Sequence, residues 1–285
     1  MNWNPKFTAT ITLSFLLIMS LRLPADNHLE TSLNIDDYLT ELPENLVLNE
    51  DTPQEYRITT VWHNRDLQGN ATAKFIISGQ YTRALEGDSV QWNNVMIEIF
   101  PDPSKAASDT AYQEFMEGFK YKSPEDIARY DFFKDFPSDE STHLLRTLIW
   151  DAVAFEVFGW NYFDQLELNK AIVPSDLVDF DAPMADWGTI TMKNLKLIWV
   201  GVSELNNELC AVIDYESFVN PVNSSSPGMT VQGRSLYWGI IYISLEDKQI
   251  EYATMNEDVI MEITTLTNPE NRVNIQREVK FEKLR

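Results

Sequence analysis

Hydrophobic and polar residues alternate singly near both ends of the chain and recur every three or four positions in its middle. Over 56–62, Tyr56, Ile58, Thr60 and Trp62 share one side and alternate with other residues, the period of a half-buried strand. The runs 72–83 and 89–100 continue the pattern, and turn residues fill 64–70 and 84–88, so this part predicts a meander of long antiparallel strands. Strands are predicted again over 189–202, 209–219, 234–245, 251–255, 258–266 and 272–283. A hairpin loop at 203–208, a longer loop at 220–229 and a turn at 244–250 separate them. The 272–283 run is the most regular. Val273, Ile275, Arg277, Val279 and Phe281 fall on one side, and Asn274, Gln276, Glu278, Lys280 and Glu282 fall on the side that faces water.

From Pro101 the period changes. Ala107, Tyr112, Phe115, Met116 and Phe119 stand at helical spacing, with Ser104 or Asp109 placed to cap. Over 123–136, Ser123 reads as an N-cap and Pro124 as the first helical residue. The stretch 138–160 is more apolar, with Leu144, Leu148, Ala152 and Phe155 on one stripe and Gly159 as a stop. Helices are therefore expected over about 104–170, and a proline- and aspartate-rich connector follows. Residues 26–54 read as a polar strap in which Asp36 caps a brief helix.

The expected fold class is α+β: a single curved, half-barrel-like antiparallel sheet of about nine strands over 55–285, with the helical insertion packed on one face. The strand at 234–245 carries most of the functional expectation. Leu236, Trp238, Ile240 and Tyr242 make one side apolar, and Tyr237, Ile241, Ile243 and Leu245 make the other apolar too. Such a strand sits mid-sheet between two layers. If the helices form a lid over the sheet, Trp150, Trp160, Trp199, Trp238 and Tyr242 line a pocket for an apolar small molecule or lipid. In outline this topology resembles the lipoprotein-carrier half-barrel proteins of bacterial envelopes. The resemblance lies in topology, and no residue role is carried over from it.

The formal charge of −22 alters the list of partners. Phosphate neutralisation needs clustered Lys and Arg, so nucleic acid is excluded, and a surface of anionic lipids would repel the chain. At the N-terminus, Lys6, an apolar run over 7–21 and Ala25 form a secretory signal-peptide pattern over 1–25, too short for a membrane span. No cysteine follows the apolar run, so export to the periplasm or medium is expected, and lipidation is not. Cys210 is the only cysteine; it cannot form an internal disulfide, and its apolar neighbours predict a small buried side chain.

Little else points to chemistry. The chain lacks the serine-hydrolase elbow, phosphate-binding loop, dinucleotide and zinc-helix motifs. His28, His63 and His143 lack metal-ligand spacing, and no metal or cofactor is expected. Residues 64–69 imitate the first half of a calcium loop, but Phe75 stands where the bidentate glutamate belongs, so a hairpin turn is the better reading. Asp176, Asp179, Asp181 and Asp186 lie close together in the connector and read as a solvated loop, with a bound hard cation as the alternative. Asn70 and Asn223 fit the glycosylation pattern and fall in predicted turns. Asp151 and Glu156 interrupt an aromatic-rich run and are the acids to inspect for proton transfer. The expected function is an exported, non-enzymatic binder of an apolar ligand or a protein partner. The alternatives are a secreted acidic hydrolase acting on glycans and a structural module without a ligand.

Overall fold

The computed structural model describes residues 35–284, apart from 88, 124–125, 128, 130, 138–139, 184–188, 227–228 and 266–270. The signal-peptide reading, the first part of the strap (26–34) and Asp186 lie outside the described residues.

Alternation builds the long strands as expected. The meander consists of β1 (Gln54–Arg65), β2 (Ala71–Leu85) and β3 (Ser89–Phe100). Two short strands follow, β4 (Asp109–Tyr112) and β5 (Phe119–Lys122), and then the helix α1 (Glu140–Trp160). The chain returns through β6 (Ala171–Ile172), β7 (Phe180–Pro183) and β8 (Thr189–Met192). It then forms β9 (Lys196–Leu205), β10 (Glu208–Ser226), β11 (Met229–Ser244), β12 (Ile250–Thr265) and β13 (Asn271–Lys283). All of these elements lie in one compact unit, Leu33–Arg285.

Among the described residues these 13 strands join in one antiparallel sheet that does not close, in the order β4-β3-β2-β1-β13-β12-β11-β10-β8-β7. β5 adds to β3, and β9 bridges β10 and β6. The meander and the later strands meet where β1 pairs with β13, placing Ile58 opposite Phe281 and Trp62 opposite Arg277. The α+β class therefore holds, with more strands than expected.

Two of the extra strands come from the segment read as helical, and β6 and β7 lie in or beside the connector. Residues 109–122 form β4 and β5 instead. They complete the free side of β3, pairing Ala111 with Ile97, Phe119 with Trp92 and Tyr121 with Val90. Gly118, with φ of +73°, turns the chain between them in a conformation that a continuing helix excludes. Ladder hydrogen bonds along an open edge thus outweigh a weak helical spacing. The described part of 123–136 forms successive three-residue turns, such as Arg129 N–H to the Asp126 carbonyl and Phe136 N–H to that of Phe133. Phe132, Phe133 and Phe136 cluster there edge to face. The loop expected at 220–229 is mostly strand, because β10 runs to Ser226 and β11 begins at Met229. Asn223 accordingly lies in a ladder opposite Gln232 and not in a turn.

The helix predicted over 138–160 is present and lies on one face of the sheet. Leu145, Leu148, Ile149, Ala152 and Phe155 are fully buried against Ile58, Ile77, Ile213, Ile241, Ala253 and Phe281. Each large side chain buried this way contributes about 1.5–3 kcal/mol. Gly159 lies within the last turn and does not end the helix. A methyl group there would stand 3.0 Å from Ile243 Cδ1, so the glycine permits close approach to β11. Among the described residues, a packed apolar core lies between the helix and the sheet, where the ligand was expected.

Candidate functional site

Two features hold the unusual groups of this fold: a set of buried ion pairs beneath α1, and an open apolar surface on the opposite side of the sheet.

Asp151 and Glu156 each meet an arginine that the sheet directs inward. Arg277 Nη2 donates to Asp151 Oδ1 at 2.6 Å, and both side chains are 5% exposed. The Nε of Arg277 lies 2.6 Å from Glu257 Oε2, and its guanidinium lies over the Trp62 ring at 4.9 Å. Thr60 Oγ1 donates to Asp151 Oδ2 at 3.4 Å, and the Ser235 hydroxyl donates to Glu257. Burial pushes the Asp151 carboxyl up to about 6, although Arg277 opposes the shift. One turn along the helix, Glu156 accepts from the Tyr81 hydroxyl at 2.5 Å and the Ser123 hydroxyl at 3.0 Å, and pairs with Arg83 Nη1 at 2.5 Å. Burial also holds the Tyr81 phenol well above its ordinary range. Breaking such a buried pair costs roughly 3–5 kcal/mol. These acids fasten the helix to the sheet and lie away from solvent.

A third polar group forms where Glu208, Asp247 and Glu251 bring carboxylate oxygens within 4.8 Å of one another. The Lys283 ammonium contacts Glu251 and lies 3.4 Å from Asp247 and 4.0 Å from Glu208, supplying the cation itself. Burial draws the Lys283 ammonium down, and these carboxylates more than offset it, so its pKa rises. Among the described residues, the connector acids Asp176, Asp179 and Asp181 each have a different partner. Asp176 accepts from the Tyr162 hydroxyl at 2.8 Å, Asp179 pairs with Lys193, and Asp181 accepts from Thr191 at 2.6 Å.

The structure divides the five aromatic residues expected to line one pocket. Trp150 is half-buried on α1 beside Phe133, with ring centroids 6.2 Å apart. Trp160, near the end of α1, donates from Nε1 to the Lys248 carbonyl at 2.8 Å and carries Arg83 over its ring at 4.3 Å. Trp199 is fully buried on β9 and donates to the Gly201 carbonyl at 2.6 Å. Trp238 and Tyr242 share the other side of β11, facing away from the helix. Tyr242 packs edge-on to Tyr252 with centroids 6.0 Å apart. Trp238 is 40% exposed.

That outer side of β9–β12 forms the candidate site. Cross-strand register builds a row of Lys196, Glu216, Trp238 and Asn256 beside a row of Ile198, Asp214, Ile240 and Thr254. Together they line a groove of about 360 Å³. A neighbouring depression of about 510 Å³ is formed by Val173, Phe218, Val219 and Pro221, with Lys193 at its rim. Both are bordered by Lys196 and Glu216, whose ion pair at 2.8 Å divides one apolar strip into two.

A bulge in β10 prepares the second depression. Between Ser217 and Asn220 the ladder slips, and Val219 takes a left-handed φ of 62°, an uncommon conformation for a β-branched residue. Fully buried Asn220 holds the kink. Its Nδ2 donates to the carbonyls of Ser217 and Ser235, and its Oδ1 accepts from the Ser217 hydroxyl and the Lys193 N–H. Ser217 and Asn220 consequently point inward while Phe218 and Val219 both stand in solvent. Sequence alternation showed that 236–242 had a second apolar side. It gave no sign of the bulge.

Fold and surface together define an open antiparallel sheet protein with a helix on one side and a solvent-facing apolar groove on the other. No protein-family model and no curated protein sequence matches the chain. Among solved structures, one described as lipid–protein interactions in lipovitellin aligns with 82% of this chain at 11% identity and a TM-score of 0.33. This chain spans only 25% of that protein's chain. A Nitrosomonas europaea protein with the provisional name AttH aligns over 83% of this chain and 96% of its own, at 8% identity and a TM-score of 0.17. Similarity at this level carries no functional argument.

Proposed function

We propose that this chain is a non-enzymatic binding protein whose partner is another protein, seated on the helix-free side of β9–β12. The observation that carries the reading is the exposure of Trp238 in a groove of the helix-free side, while the residues of the helix side belong to the packed core. Enclosed sites bury most of a small ligand, whereas an open sheet surface suits a partner that brings its own covering area. The groove and the bulge depression lie side by side, which suits an extended partner segment crossing several strands. The N-terminal pattern of Lys6 and the apolar run over 7–21 supports an exported protein, periplasmic or secreted.

Selection of random peptides displayed on phage against the full chain tests this reading. Enriched peptides should lose roughly thirtyfold in affinity for Trp238→Ala, the loss typical of a buried interface tryptophan. The far-ultraviolet circular dichroism and melting temperature of the variant should remain those of the parent. Stoichiometric binding of a fluorescent fatty acid that is indifferent to Trp238→Ala would overturn the proposal and return the interior to consideration.

A further inference from the structure

Three tryptophans differ in what covers their rings. Trp62 and Trp160 each carry an arginine of this chain, Arg277 at 4.9 Å and Arg83 at 4.3 Å. Trp238, though 40% exposed, has no ring or cation of the described residues stacked on its indole. Its cross-strand neighbours are Glu216 and Asn256. Asp214 stands opposite Ile240 in the next row, and Asp258 stands opposite Leu236 on the other side. Glu216 is neutralised by Lys196 at 2.8 Å, whereas Asp214 and Asp258 have no ion-pair partner among the described residues. An apolar, electron-rich ring thus lies between carboxylates with charge to spare, on a chain of net charge −22.

From this we infer that the partner segment proposed above presents a basic side chain, arginine or lysine, to the face of Trp238. The inference rests on the proposed function and narrows it to one partner chemistry: an extended protein segment in which cationic and apolar residues alternate. A cation over an indole is attracted by the ring quadrupole, and tryptophan is the strongest aromatic partner for it. Residues on one side of an extended segment repeat about every 7 Å, which matches the diagonal step of about 7–8 Å from Asp214 on β10 to Trp238 on β11 and on to Asp258 on β12. The carboxylates add attraction at encounter and oppose an acidic segment.

The test compares two fluorescein-labelled octapeptides, one alternating leucine and arginine and the other with glutamine in place of arginine. Fluorescence anisotropy is read with the full chain at low and moderate salt. The arginine peptide should bind about tenfold tighter than the glutamine peptide, with the difference shrinking as salt rises. Trp238→Ala and Asp214→Asn should each erase most of that preference. Glu44→Gln, outside the groove, should leave it unchanged. Equal affinity for both peptides, or a preference insensitive to Asp214→Asn, would overturn the inference. If both peptides bind equally and both are lost on Trp238→Ala, the proposed function survives and its cationic refinement fails. Failure of the arginine peptide to bind, or Trp238-dependent binding to phosphatidylcholine vesicles in its place, likewise overturns it.

Discussion

The Asp151–Arg277 pair gives the folded protein a pH dependence whose sign follows from burial. In the unfolded chain the Asp151 carboxyl loses its proton near its ordinary value of 3.8, and in the folded chain near 6. Between these values the native state holds more proton than the unfolded state. Stability therefore falls as pH rises through that window and levels off above it. At ~1.4 kcal/mol per pH unit, the gap between 3.8 and about 6 corresponds to roughly 2–3 kcal/mol between about pH 4 and about pH 7.5. Asp151→Asn removes this titration and leaves Arg277 within 2.6 Å of Glu257. Urea unfolding of parent and variant across the window isolates the effect, because the other acids of the chain titrate in both proteins. The variant should gain roughly 2–3 kcal/mol relative to the parent from acid to neutral pH, on top of a constant offset. A flat difference, or a relative loss, would mean that the Arg277 charge outweighs desolvation, and the argument from burial would fail.

Two further measurements address the packing. A methyl group at Gly239 would overlap the Thr254 carbonyl oxygen and lie 2.6 Å from the Tyr215 hydroxyl, which donates to that carbonyl at 2.8 Å. Gly239→Ala should cost roughly 1–3 kcal/mol, seen as a lowered urea midpoint; an unchanged midpoint would refute the close approach. Burial pushes the Cys210 thiol up to about 12, so Ellman's reagent should label the native chain at about pH 8 at least ~100-fold more slowly than the urea-unfolded chain. Rapid labelling of the native chain would contradict the burial of β10.

The long strands were legible because burial of one sheet face imposes a period of two, and β1–β3 and β9–β13 obey it closely. The alternation of 273–281 also placed Arg277 on the inward side, although its acidic partners were not evident from it. Asp151 and Glu156 were visible as charges within an apolar helix, but nothing in the sequence connected them to Arg277 and Arg83. The segment 109–122 was misread because its aromatic spacing is helical by coincidence, and its pairing with β3 is a tertiary effect. For 234–245 the sequence left open which apolar side the helix would cover. The structure places Ala211, Gly239 and Ala253 on the covered side, where small residues admit a close helix, and Trp238 and Tyr242 on the other. The five aromatics expected together were legible only as apolar residues, because strand parity alone decides which side each takes.

The junction of β1 with β13 also has a kinetic consequence. Arg65 reaches Gln276 across 211 positions of the chain. Two preformed halves cannot share a ladder until that span has been closed, and loop-closure entropy must be met before any β1–β13 contact rewards it. Until then β1 and β13 each present a long unsatisfied edge. Refolding should be slow and increasingly lossy as protein concentration rises, because another molecule's edge then competes for the same seam.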